Sequence, residues 1–326
     1  MADVAVRVQD LVKRFGQVVA LDGIDFEVPF ATVFGLLGPN GAGKTTAVRV
    51  LTTIIAPDRG RAEVLGHDVV READAVRLSI GLAGQSAAVD ETLTGRENLR
   101  LIGRLAQMPS RRIAPRTDEL LERFELVDAA DRPVRTYSGG MRRRLDVAAS
   151  LVHRPPVLFL DEPTTGLDLT SRGELWAMIR ELVDTGTTVL LTTQYLEEAD
   201  RLSHRIAVID HGKVIAEGTP VELKARLGAT VVELGYGEAR QLAARATELV
   251  ARLLPGHPES DGGVVRITSD DGSRVVVDVL RSLDAEGLSP VTVAVRQPSL
   301  DDVFLALTGH HAESTDRDNP AHRGGS

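Results

Sequence analysis

Polar and apolar residues alternate over residues 4–8 and again in "IDFEV" at 24–28, the period of a half-buried β-strand. Three other stretches, "TVFGLL" (32–37), "VLFLDE" (157–162) and "TVLLTT" (188–193), are short, mostly unbroken apolar runs. Runs of that kind suit parallel strands covered on both faces. "RIAVID" and "KVIAEG" flank Asp210-His211-Gly212-Lys213 and predict a hairpin with glycine at the turn. Between about residues 89 and 150 the period lengthens: "ENLRLIGRLAQM" and "TDELLERFEL" space apolar residues three and four apart, as helices do. The pattern therefore sets strands on both sides of a helical insertion.

The texture changes after Arg226. "ATVVEL", "GVVRIT" and "VTVAVR" are candidate strands, "EARQLAARATELVARLL" is an amphipathic helix, and 275–287 fits strand or helix. That order suits a small α+β domain of βαββαβ type. Near the end, Pro298 and Ser299 can open a helix whose apolar face is Val303, Leu305, Ala306 and Leu307. "HHAESTDRDNPAHRGGS" has neither periodicity nor core-forming residues and reads as a disordered tail. The expected division is 1–225, 229–309 and a tail of 310–326.

Composition narrows the classes. At 326 residues the chain can form one large or two modest domains, and 43% hydrophobic residues can fill a core. The net charge of −9 argues against a non-specific nucleic-acid binder. The absence of cysteine removes disulfides and thiol catalysis. The start, "MADVAVRVQD", has no basic segment followed by an apolar core, so no signal peptide is expected. The longest apolar window, Val28 to Leu37, is short and broken by Pro29 and Gly35; no membrane span is expected, and the expected compartment is the cytoplasm.

Three motifs carry chemistry. "GPNGAGKTT" (38–46) contains G-x-x-x-x-G-K-T between an apolar strand and a potential helix, the context a phosphate-binding loop requires. In the loop formed by Gly38, Pro39, Asn40, Gly41, Ala42 and Gly43, the three glycines would let the backbone turn its N–H groups toward phosphate oxygens. Lys44 would bridge the β- and γ-phosphates, and Thr45, followed by Thr46, would ligate Mg²⁺. "VLFLDEP" brings Asp161 and Glu162 to the carboxyl end of a strand, where ligands bind in open α/β sheets. Asp161 would hold Mg²⁺, and Glu162 could take a proton from, or orient, an attacking water. "YSGGMRRR" (137–144) opens a helix with Ser138 as N-cap before Gly139 and Gly140, a second potential anion site. An Asp-Glu pair or a capped helix alone would mean little; the ordered set is what has weight.

That ordered set resembles the nucleotide-binding subunit of ABC transporters, over residues 4 to about 225. The resemblance implies an α/β P-loop NTPase domain with a RecA-like core, a β subdomain and a helical subdomain, followed here by a small α+β accessory domain. It implies ATP and Mg²⁺ as ligands and ATP hydrolysis as the activity. By position, Phe15 in "KRFG" looks like the aromatic that stacks on adenine; an edge-strand core residue is the other reading. Gln85 looks like the glutamine that touches Mg²⁺ and the attacking water, and Asp168 in "TTGLD" like the aspartate at the dimer interface. Gln194, in "TTQYLEEAD", stands where the family usually has histidine. Tyr137 and Met141 replace the usual leucine and glutamine of the signature. The partners implied are a second copy, in a head-to-tail dimer burying two ATP molecules, and a separate integral membrane permease, with no nucleic acid.

Within the family, "TTQYLEEAD", "RIAVIDHGKVIAEGTP" and "PSLDDVFLALTGH" (298–310) resemble the ATP-binding subunits of daunorubicin/doxorubicin-type drug exporters. That implies a peripheral protein on the cytoplasmic side of the membrane. Its docking surface for the permease is expected around Gln85 to Leu105, with loop residues Ala87 to Leu93 making the contact. Two alternatives stay open: a soluble ABC ATPase of translation or repair, and a catalytically silent nucleotide sensor, for which Gln194 is the only support.

Overall fold

A computed structural model describes residues 4–84, 89–227, 230–254, 258–269 and 272–308. The expected tail and Ala229 lie outside them. Contacts divide the chain into two compact units, between Thr219 and Pro220.

In the first unit, β1 (Val4–Phe15) and β2 (Val18–Pro29) form a long antiparallel hairpin. They are seven and six residues longer at the turn end than the alternation indicates, because bulges around Asp10 and Gly23 break the period without ending the pairing. Next come β3 (Val33–Leu37), α1 (Lys44–Leu51), β4 (Arg59–Val64), the two-residue β5 (His67–Asp68), α2 (Ala73–Ser79) and β6 (Ile80–Ala83). The helical insertion holds α3 (Gly95–Leu105), α4 (Ser110–Arg123) and α5 (Gly139–Ser150). Thr94 and Glu97 close a capping box at the start of α3. Then follow β7 (Val157–Asp161), α6 (Leu169–Asp184), β8 (Thr188–Thr193), α7 (Leu196–Leu202), β9 (Arg205–Asp210) and β10 (Lys213–Gly218).

These strands build two sheets, β2-β1-β4-β5 and β10-β9-β3-β8-β7-β6. In the second, β9, β3, β8, β7 and β6 are parallel, and β10 pairs antiparallel to β9 through the expected hairpin. Every residue of β3, β7 and β8 is buried, which is why those segments are unbroken apolar runs rather than alternating ones. The order puts β8 between β3 and β7, in register: Leu37 lies opposite Thr193, and Asp161 opposite Thr192. The carboxyl ends of all three strands therefore open side by side.

The second unit begins with α8 (Pro220–Ala225) and continues β11 (Thr230–Gly235), α9 (Arg240–Leu253), β12 (Glu259–Asp261), β13 (Val264–Ser269), α10 (Gly272–Ala285), β14 (Thr292–Arg296) and α11 (Leu300–Thr308). This is the βαββαβ order, in an antiparallel sheet β12-β13-β11-β14. The ambiguous 275–287 stretch is helical over Gly272–Ala285: Val276, Val279, Leu280 and Leu283, at helical spacing, pack into the core with Val232 and Leu234. In α11 the buried residues are Leu300, Val303 and Phe304, whereas Ala306 and Leu307 are exposed. The expected apolar face was displaced because Ser299 and Asp302 fix the first turn against Arg296. Among the described residues no helix is long and apolar enough to cross a membrane.

Candidate nucleotide site

The loop of residues 38–43 joins the buried strand β3 to α1 and folds back over the helix start. Gly43 has φ 110°, and a side chain there would strike the Ala20 carbonyl of β2. Only glycine meets both conditions. Lys44, 4% exposed, turns its ammonium back into the loop and donates to the carbonyls of Gly38 (2.7 Å) and Pro39 (3.0 Å). Glu162 Oε1 lies 3.5 Å from the same nitrogen. The phosphate-loop cation and the candidate catalytic carboxylate thus already face each other.

Asp161 ends β7 and is buried. Its Oδ1 accepts from the Thr45 hydroxyl at 3.1 Å and from Thr192 on β8 at 2.5 Å. The Thr45 and Asp161 oxygens therefore meet from two elements and fit a small hard cation that takes its remaining ligands from water and phosphate. Among the described residues there is no cluster of three or more His, Cys, Asp or Glu that could hold a metal ion. Glu162 sits in the left-handed region at φ 48°, strained for a residue with a side chain. Its N–H is held by the Thr192 hydroxyl at 2.9 Å, so one threonine bonds both the Asp161 carboxylate and the Glu162 backbone.

Gln194 follows β8 directly, next to these groups in sheet order. It is half-buried, and its Oε1 is buried with no hydrogen-bond partner. An orphaned acceptor of this kind calls for a ligand or water. Phe15, at the end of β1, is 48% exposed with the Lys13 ammonium 5.5 Å from its ring centre. An exposed ring is free to stack, and the core reading of Phe15 does not hold.

A second group lies on other elements. Ser138 caps α5, accepting from Met141 N–H at 3.2 Å. Asp168 caps α6, accepting from Ser171 N–H at 2.8 Å; that bond comes first in holding its carboxyl below the usual range. Ser171 also packs on Gly140, where a side chain would meet its hydroxyl. Gly139 is different. A side chain there would meet nothing within 4 Å among the described residues at this exposed position. Gln85, Ala87 and Ala88 lie outside the described residues. Along α3, Leu99 is core and Ile102 packs against it, while Leu105 is 72% exposed.

Sequence reasoning missed four residues. Thr192 joins the two acidic positions. Arg143, half-buried, pairs with the buried Asp146 one turn along α5, and the run of three arginines gives no hint which one turns inward. Glu198 on α7 is fully buried and accepts from Trp176 N–H at 3.0 Å, although "LEEAD" reads as a solvated acidic face.

A phosphate loop, a strand-end Asp-Glu pair bound to it and a glycine-rich capped helix on one α/β domain define an ATPase of the ABC class. The profile of the ABC transporter family matches residues 21–165. The chain is 54% identical over 314 residues to a daunorubicin resistance ATP-binding protein of Streptomyces coeruleorubidus, covering 96% of this chain and 97% of the relative. It is 51% identical over 318 residues to the daunorubicin/doxorubicin resistance ATP-binding protein of Streptomyces peucetius, covering 97% and 96%. Among solved structures, the ATP-binding subunit of an ABC transporter superposes with a TM-score of 0.62 at 25% identity, over 68% of this chain and 92% of that one. The chain belongs to the ABC transporter family, in the group of ATP-binding proteins typified by those of daunorubicin and doxorubicin resistance.

Proposed function

We propose that this ATPase energises a separate membrane permease that exports a drug or hydrophobic natural product, working as a peripheral subunit on the cytoplasmic side. The observation that carries the site reading is the meeting of Lys44 with Glu162 and of Thr45 with Asp161, across the ends of β3 and β7 on either side of β8. The permease and the cargo class rest on the likeness to the drug-resistance relatives.

ATP phosphates take the place of Glu162 as the partner of Lys44. The loop N–H groups of residues 38–46 cradle them, and Phe15 stacks on the adenine. Thr45 and Asp161, with Gln85, would hold Mg²⁺, which would supply charge neutralisation at the phosphoryl group. Released from Lys44, Glu162 orients the attacking water and accepts its proton. Gln194 donates from its amide to the γ-phosphate, and its otherwise orphaned carbonyl accepts from that water. Ser138, Gly139 and Gly140 of a second copy close on the same phosphate, with Asp168 at the dimer contact; the open space at Gly139 suits an approaching phosphate. Hydrolysis removes the bridging group and favours opening.

The test is Glu162→Gln. It removes the proton acceptor and the competitor for Lys44 together. ATP binding is expected to be kept or strengthened, turnover to fall by orders of magnitude, and a closed dimer to accumulate in size-exclusion chromatography with ATP. Hydrolysis at the wild-type rate would refute the role given to Glu162. Copurification with a multi-span membrane protein expressed from the native locus tests the permease separately.

A further inference from the structure

The signature helix carries three consecutive arginines, and they do different things. Arg142 pairs with Glu91, and Arg144 with Glu125 and Glu174, all at the surface. Arg143 turns inward. Its Nε donates to the Pro163 carbonyl at 2.8 Å, one terminal nitrogen to the Gly84 carbonyl at 2.6 Å, and the other to the Asp161 carbonyl at 3.3 Å. Asp146, one turn along α5 and fully buried, pairs with it at 3.1 Å. These carbonyls are not scattered. Asp161 and Pro163 flank Glu162, and Gly84 directly precedes Gln85.

From this geometry we propose that Arg143 is a positioning residue for hydrolysis. It fixes the backbone on both sides of the strained Glu162 and the carbonyl of Gly84, and it ties them to the helix that begins at Ser138. The inference rests on the roles given above to Glu162 and Ser138. A planar guanidinium presents five donors in a fixed fork and can bond carbonyls on separate segments at once; an ammonium has three donors on one atom and cannot span them. Asp146 compensates the buried charge and aims the fork, since an ion left without its partner in the interior is strongly unfavourable. Through Arg143, a displacement of the Ser138 helix by a second copy moves the backbone that carries the water-orienting carboxylate. An error of about 1 Å at such a group lowers turnover roughly a hundredfold.

The test compares Arg143→Lys, Asp146→Asn, Glu162→Gln and the double variant Arg143→Lys/Glu162→Gln in the intact chain. Nucleotide affinity, single-turnover hydrolysis and Tm are measured for each. Arg143→Lys is expected to leave KM for ATP within about threefold while lowering kcat roughly ten- to hundredfold. The double variant is expected to be no slower than Glu162→Gln alone, because the two act on one step. Asp146→Asn is expected to lower kcat with KM unchanged, and it serves if Arg143→Lys does not fold. Wild-type kcat in whichever of these two variants folds, a loss in KM rather than kcat, or losses that multiply in the double variant would overturn the proposal. Failure of the underlying reading is separately visible: Glu162→Gln alone would then hydrolyse at the wild-type rate.

Discussion

Gln194 keeps the two capacities that matter at a γ-phosphate, an amide donor and a carbonyl acceptor, and gives up only the titration that histidine would bring. Phosphoryl transfer depends on positioning and electrostatics, so an amide can serve. Gln194→Ala should remove one charge-assisted hydrogen bond, about 1.5–3 kcal/mol, and slow steady-state ATPase roughly ten- to hundredfold. Gln194→His should stay active; a silent wild type that this change switches on would install the nucleotide-sensor reading instead. Glu198 makes a different prediction. Burial raises its carboxyl above the ordinary 4.5, against the hydrogen bonds and the nearby Arg172 that favour the charged form. A folded state that holds the proton more tightly than the unfolded one has its full advantage below that ordinary value and loses it as pH rises through the folded one. Glu198→Gln, which keeps an acceptor for Trp176, should therefore melt higher than wild type at about pH 8, with the gap closing toward about pH 4.

Elements meet through specific pairs. Tyr137, in place of the usual signature leucine, is buried and donates its hydroxyl to the Ala129 carbonyl at 2.7 Å. Gly95, the first residue of α3, leaves the room: a side chain there would collide with that hydroxyl. Gly95→Ala should destabilise by about 1–3 kcal/mol as overpacking, and Tyr137→Phe by about 1 kcal/mol as a lost hydrogen bond. In the double variant the collision is gone, so urea denaturation should show less than the sum. In the second unit, α11 is bound to the sheet by an ion cluster in which Arg296 bridges Asp302 and Glu233. Burial works to raise the Asp302 carboxyl, but Arg296 and the Ser299 N–H and hydroxyl bring it down to about 2 from 3.8. The stability this gives is present above 3.8 and lost as pH falls toward about 2. Asp302→Asn should lose roughly 2 kcal/mol near neutrality, and wild type and variant should converge in acid.

At the scale of the molecule, ATP binds the folded chain and not the unfolded one, so it stabilises by mass action. At a hundredfold excess over Kd the gain is about 2.7 kcal/mol. Thermal melting with Mg²⁺ and ATP should show it in the wild type and in Glu162→Gln, and Lys44→Ala, which removes the phosphate cation, should show none. A shift that survives Lys44→Ala would mean that the nucleotide is held elsewhere.

The sequence by itself determined the parts whose chemistry is local. A glycine-rich loop between an unbroken apolar strand and a helix can do little but bind phosphate, and strands buried on both faces announce themselves by continuous apolar runs. Lys44, Thr45, Asp161, Glu162 and Ser138 were legible for that reason, as was the βαββαβ order of the second unit. Tertiary structure decided what depends on residues distant along the chain. It set β8 between β3 and β7, which brings Thr192 to Asp161 and puts Gln194 just past the end of the strand between them; strand order is fixed by packing and crossover geometry, and no local pattern encodes it. It turned Arg143 inward onto carbonyls of two other segments, while Arg142 and Arg144 pair with carboxylates nearer the surface. It buried Glu198 against Trp176 although Glu197 beside it in sequence is exposed. It also resolved Gly272–Ala285 as a helix, because Val279 and Leu283 find their core on the face of β11 only at helical spacing.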